Sequence, residues 1–96
     1  MVSIQVKLFE PFAELIGHKL LWIEIRTDNT VGDVLTKLDQ ISVGRLKKVL
    51  FDATTQKPHQ YIRVLVNGQD IAFLDGLKTV LKNKDIIAII SPVVGG

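Results

Sequence analysis

Ile86-Ile87-Ala88-Ile89-Ile90-Ser91-Pro92-Val93-Val94-Gly95-Gly96 joins an apolar run to a glycine ending. Its first five residues are an unbroken apolar, β-prone run, launched by the polar turn Lys82-Asn83-Lys84-Asp85. A run of that length bounded by turn residues reads as a strand. Such a strand needs neighbours, and the rest of the sequence supplies them. Beyond it the chain narrows to Pro92, which stiffens the exit from the strand, and to two glycines whose missing Cβ lets another surface approach the backbone closely.

The nearest candidate neighbour is the other end of the chain. Val2, Ile4, Val6 and Leu8 alternate with Ser3, Gln5 and Lys7, the period of a strand with one face on a core. Glu10-Pro11 interrupts it, and Phe12-Ala13-Glu14-Leu15-Ile16 has room for one helical turn before Gly17. A second strand follows over 20–26, with Leu21, Ile23 and Ile25 inward and Leu20, Trp22, Glu24 and Arg26 outward. These two strands form an antiparallel hairpin with an enlarged loop. If the first and last strands lie side by side in the centre of the sheet, they are parallel.

Thr30 is placed to cap a helix, with Asp33 three residues later completing a capping box at the positive end of the helix dipole. Val31, Val34, Leu35, Leu38 and Ile41 then share one helical stripe. A kink near Ser42 leads to a short second helix patterned by Val43, Leu46, Val49 and Leu50, and Asp52 to Gln60 reads as a loop, the most mobile internal segment. Tyr61 to Val66 is a strand with Ile62, Val64 and Val66 on one face. Asn67-Gly68 is a two-residue hairpin signal, returning through a short strand at Gln69–Ile71. Ala72 to Lys84 is loop with buried anchors at Phe73, Leu74, Leu77 and Leu81. The order describes an α+β domain, a mixed sheet of four to five strands with a main helix packed across one face.

Ninety-six residues make one small domain, and 47% hydrophobic with 23% charged residues argues against global disorder. A net charge of +2 is too weak to imply nucleic acid, and the one close basic group, Arg45, Lys47 and Lys48, reads as a solvated face. No basic, apolar leader opens the chain, and no run approaches the ~18 apolar residues of a membrane span. A soluble, cytoplasmic domain is expected. Zero cysteines removes disulfides, thiolate metal sites and a cysteine nucleophile together. His18 and His59 lack metal-site spacing, so no metal site is expected. Ser3, Ser42 and Ser91 lack a nucleophile-elbow context, and no glycine-rich phosphate loop exists. A stand-alone enzyme is not expected.

Two features remain. If Ile87 and Ile89 face the helix, then Ile86, Ala88 and Ile90 face away from it. Leu65, Tyr61, Phe9, Leu20 and Trp22 could extend that apolar surface, which would mark a partner site unless Phe73 or Leu81 folds over it or the domain dimerises. The other feature is the ending. Its plain reading is a frayed glycine-rich terminus, and its functional reading is a slim tail that presents the carboxyl of Gly96 to another protein's cleft.

The strand and helix order, Val66-Asn67-Gly68, Leu81-Lys82-Asn83-Lys84-Asp85 before an isoleucine-rich strand, and the ending Ser91-Pro92-Val93-Val94-Gly95-Gly96 together resemble the MoaD/ThiS sulfur-carrier family. The closer match is to MoaD, the small subunit of molybdopterin synthase. Phe12-Ala13-Glu14-Leu15-Ile16-Gly17 also resembles the segment after that family's first strand, and Ser91 departs from it where a first proline is common. The resemblance spans the chain and implies a ubiquitin-like β-grasp domain over 1–90 with a flexible Gly-Gly tail over 91–96. It implies that Gly96 is adenylated on a MoeB/ThiF-type activating enzyme and converted to a thiocarboxylate by a persulfide donor. Pro92, Val93, Val94 and Gly95 would thread the tail into a MoaE-like large subunit, where sulfur passes to a pyranopterin precursor. ATP and magnesium would belong to the activating enzyme, with nothing bound by this chain. Sulfur delivery to tRNA or thiamine, and a ubiquitin-like modifier joined through Gly96 to a target lysine, stay open beside it. So does a plain interaction domain.

Overall fold

The computed structural model describes residues 1–55, 59 and 62–91. In chain order it contains strand β1 (Val2–Leu8), the one-turn helix α1 (Phe12–Ile16), β2 (Leu20–Ile25), α2 (Val31–Ile41), α3 (Arg45–Leu50), β3 (Arg63–Val66), β4 (Gln69–Asp70) and β5 (Ile86–Ile90). The strands form one sheet in the order β2-β1-β5-β3-β4. β1 and β5 run parallel in its middle, Gln5 against Ile86 through Leu8 against Ile89, and the remaining pairs are antiparallel. This is the mixed sheet expected from the sequence, and β5 is flanked on both sides.

Alternation decides which side chains form the core. Val2, Ile4, Val6 and Leu8 of β1, Ile23 and Ile25 of β2, Val64 and Val66 of β3, and Ile87 and Ile89 of β5 are buried on the face that meets α2. From α2 they meet Val31, Val34, Leu35 and Leu38, also buried. α2 begins where the sequence placed it: Thr30 Oγ1 accepts from the Asp33 N–H at 3.3 Å, and Asp33 Oδ2 accepts from the Thr30 N–H at 2.8 Å. Two orphan donors of the helix start are thereby satisfied.

The start of β5 is fastened by side chains rather than by packing alone. Asn67 takes φ 52° and Gly68 φ 85°, the positive pair that a tight hairpin between right-twisted strands requires. The same asparagine accepts from the Ile86 N–H through Oδ1 and donates from Nδ2 to Asp85, each at 2.9 Å. Asn83 Oδ1 accepts from the Ser3 N–H at 2.9 Å, and the Lys84 N–H donates to Ser3 O. The 82–85 turn is therefore tied to both of β5's neighbours.

Several expectations are corrected in detail. Phe73 and Leu74 are exposed, Phe73 at 78%, because Asp70 caps the Ala72 N–H and turns Ile71–Phe73 into a single 3₁₀ turn that sends only Ile71 into the core. β4 accordingly ends at Asp70, one residue short of Ile71, and β2 ends at Ile25. Ile41, Val43 and Val49 are exposed as well. The chain turns at Ser42, Val43 adopts φ 56°, and the core contact passes to Leu46 and Leu50 of α3. Residues 56–58, 60 and 61 of the expected loop and strand start lie outside the described residues.

Asp33 sets an acid limit on α2. The Thr30 backbone N–H, then its hydroxyl, hold this carboxyl below the ordinary 3.8 of an aspartate. A depressed folded-state pKa contributes stability above the unfolded value that is lost as pH falls through the folded one. Urea denaturation of Asp33→Asn is expected to show a deficit relative to the parent above pH ~4 that closes in more acid solution. Thr30→Ala should cost about 1 kcal/mol near neutral pH. A deficit for Asp33→Asn that persists unchanged at pH ~2 would mean the carboxylate is not the stabilising group.

Candidate functional site

The opposite face of the sheet carries the other half of each alternation. Ile86, Ala88 and Ile90 of β5 and Leu65 of β3 are half-buried on it, and no described helix covers them. Leu81, considered as a cover, is instead fully in the core. Cross-strand partners trace two rows, Trp22–Gln5–Ile86 and Leu20–Lys7–Ala88–Leu65–Asp70, with Ile90 opposite Arg63 at the far end.

These rows show that the apolar surface is divided. Lys7, exposed, stands between Leu20 and Ala88, and Gln5 stands between Trp22 and Ile86. One apolar part is therefore β5 with Leu65. The other is Leu20 and Trp22 on β2, with Phe9, 49% exposed, sharing a shallow hollow with Leu20 and Lys7. The period of two already placed Gln5 and Lys7 on this face, but which residues they separate depends on register. On the far side Arg63 donates from Nη1 to Asp70 Oδ2 at 2.9 Å. The Asp70 carboxyl is held below its ordinary value, first by the Ala72 N–H and then by Arg63.

β5 leads out of this face to half-buried Ser91. Pro92, Val93, Val94, Gly95 and Gly96 lie outside the described residues, as does Tyr61. Of the candidate site residues, the structure brings Ile86, Ala88, Ile90 and Leu65 together on adjacent strands and sets Phe9 apart with β2. Among the described residues, no group of three or more His, Cys, Asp or Glu side chains is placed to hold a metal ion. No described helix is long and apolar enough to cross a membrane.

Placing a charge in the middle of β5 tests this face. Ala88→Glu would stand cross-strand from Lys7, an opposite-charge pair that supports the sheet. Its thermal midpoint is expected to stay close to the parent's while binding of any protein that docks on β5 falls at least about tenfold. Unchanged affinity for a protein that binds this chain, measured by calorimetry, would remove β5 from the docking surface.

Comparison with known proteins agrees with this architecture. The family model described as ThiS family matches residues 6–96. Small archaeal modifier protein 3 of Haloferax volcanii is 34% identical over 95 residues, 99% of this chain and all of that protein. Sulfur carrier protein CysO of Mycobacterium tuberculosis is 28% identical over 68 residues, 71% of this chain and 73% of its own. The solution structure of small archaeal modifier protein 1 from Methanosarcina acetivorans superposes with a TM-score of 0.80 at 36% identity, covering 100% of this chain and 98% of that one.

Proposed function

The chain belongs to the ThiS family, and from that premise we propose that it is a sulfur carrier whose working group is the carboxyl of Gly96. The observation that carries this reading is the junction of two unlike segments. A strand fixed at the centre of the sheet runs to Ser91, and Pro92-Val93-Val94-Gly95-Gly96 follows it directly in sequence. A partner that holds the sheet face thereby receives the terminal carboxyl within a few residues of its grip.

A carboxylate is a poor acylating group until it gains a leaving group. On a MoeB/ThiF-type activating enzyme, a Gly96 carboxylate oxygen attacks the α-phosphate of ATP, forming the acyl-adenylate and releasing pyrophosphate. A persulfide sulfur then attacks the glycyl carbonyl and expels AMP. Thiol reduction of the resulting acyl disulfide leaves a thiocarboxylate on Gly96. Pro92, Val93, Val94 and Gly95 carry that group into a MoaE-like large subunit, where the nucleophilic sulfur bonds to a carbon of a pyranopterin precursor of the molybdenum or tungsten cofactor. Water then hydrolyses the resulting thioester, leaving the sulfur on the pterin and a carboxylate on Gly96. ATP, magnesium and the catalytic side chains belong to the partners. The domain contributes the surface that they hold, Ile86, Ala88, Ile90 and Leu65.

A second reading shares the activation step. The 34% identity to a protein named as a small archaeal modifier favours transfer of the activated Gly96 to a target lysine amine, with AMP as leaving group, giving an isopeptide bond. Intact-mass spectrometry of the full chain with a cognate activating enzyme, ATP and a persulfide donor tests the carrier reading. The expected result is a mass gain equal to one oxygen replaced by sulfur, lost when Gly96 is deleted. An unchanged mass with an enzyme active on its own partner would contradict the carrier reading. Addition of a large subunit and precursor pterin should then return the carboxylate form. Accumulation of lysine conjugates instead selects the modifier reading.

A further inference from the structure

We infer that the outer edge of β2 is a strand-pairing site for a second copy of this chain, in one register that the edge itself prescribes. β2 ends the sheet on one side. In an antiparallel ladder alternate residues direct both backbone groups to one neighbour. Leu8 donates to the carbonyl of Lys19, so Lys19, Leu21, Ile23 and Ile25 point to β1, and Leu20, Trp22 and Glu24 point outward. The outward row is not uniformly open. Lys37 Nζ donates to Glu24 O at 2.9 Å, and Asn29 Oδ1 accepts from the Arg26 N–H at 2.8 Å. A lysine laid on an edge strand is a device that blocks pairing, and here it closes only the end near Arg26. Among the described residues the N–H and C=O groups of Leu20 and Trp22 have no partner.

Two copies related by a two-fold axis at Leu21 satisfy those groups and leave the Lys37 bond untouched. Leu20 of each copy then exchanges both backbone bonds with Trp22 of the other. On the open face the exposed Leu20 and Trp22, 47% and 61% accessible, become cross-strand apolar pairs. On the core face the two Leu21 side chains meet, and Leu21 is the one inward residue of β2 left half-buried. Glu24 of each copy falls opposite His18 of the other, so a carboxylate acceptor faces an imidazole N–H donor at both ends. Sliding the register toward Arg26 would require the carbonyl already held by Lys37. Pairing of this kind extends the sheet in its own plane. It leaves β5 and its exit free on both copies, so it does not compete with a partner docked there.

The contact is short, well below the ~1,200 Å² of a standard stable interface, so it forms only at high concentration. The test is a dilution series of the ¹⁵N-labelled full chain, with sedimentation equilibrium on the same samples and emission from Trp22, the single tryptophan. The expected result is a monomer–dimer equilibrium in the high-micromolar to low-millimolar range. Shift changes should centre on Leu20, Leu21 and Trp22, the Leu20 and Trp22 amides should gain exchange protection, and the tryptophan emission should move to the blue. Leu20→Glu stands cross-strand from Lys7, which supports its fold, and should weaken association roughly tenfold or more. A monomer throughout the range would overturn the inference. So would shift changes centred on Leu65 and Ala88, which would mean stacking of open faces instead.

Discussion

The parallel pairing of β1 with β5 is the constraint on which the rest of the molecule depends. It joins the two ends of the described chain in the middle of one sheet and requires the connection between them to cross over one face. α2 lies on that crossover, and its buried stripe closes against Ile4, Val6, Ile87 and Ile89. With the helices confined to one face, the other face stays open. β5, fixed on both edges and stapled at its start by Asn67, Asn83 and Lys84, runs through the centre of that open face toward the glycine tail.

The arrangement separates rigidity from chemistry. A carrier must be recognised by several proteins while offering each the same small reactive group, and a group buried among its own side chains could not be passed on. The proposed reactive group is the Gly96 carboxyl, and the recognisable surface is on β5, a strand that cannot shift register without breaking two ladders. Lys7 and Gln5 limit the continuous apolar area on that face.

Elements governed by local rules were readable from the sequence. The alternation of Val2 to Leu8, the Thr30/Asp33 capping box, the Asn67-Gly68 turn and the five-residue run of β5 each depend on neighbours within a few positions, and the structure places them as expected. Long-range pairings were not readable in the same way. The separation of Leu20 and Trp22 from Ile86 and Ala88 follows from the register between β1, β2 and β5. The closure of Glu24 by Lys37 joins residues thirteen apart on different elements. Phe73 is not the anchor that an apolar residue in a loop predicts, because the Asp70 cap on the Ala72 N–H fixes the direction of that turn. The Gly-Gly ending is legible only as a motif, and its role rests on family and chemistry.

Sulfur on the carboxyl of Gly96 would be directly detectable, because the chain contains no cysteine. The chain has no side-chain thiol, so a thiol-selective alkylating reagent applied to protein isolated from its native cells has no internal target. Tandem mass spectrometry of the alkylated protein should locate one adduct on the carbonyl of Gly96, with the glycine carboxyl oxygen replaced by sulfur. Recovery of Gly96 only as an unmodified carboxylate, from cells in which the activating enzyme is present and active, would contradict the account.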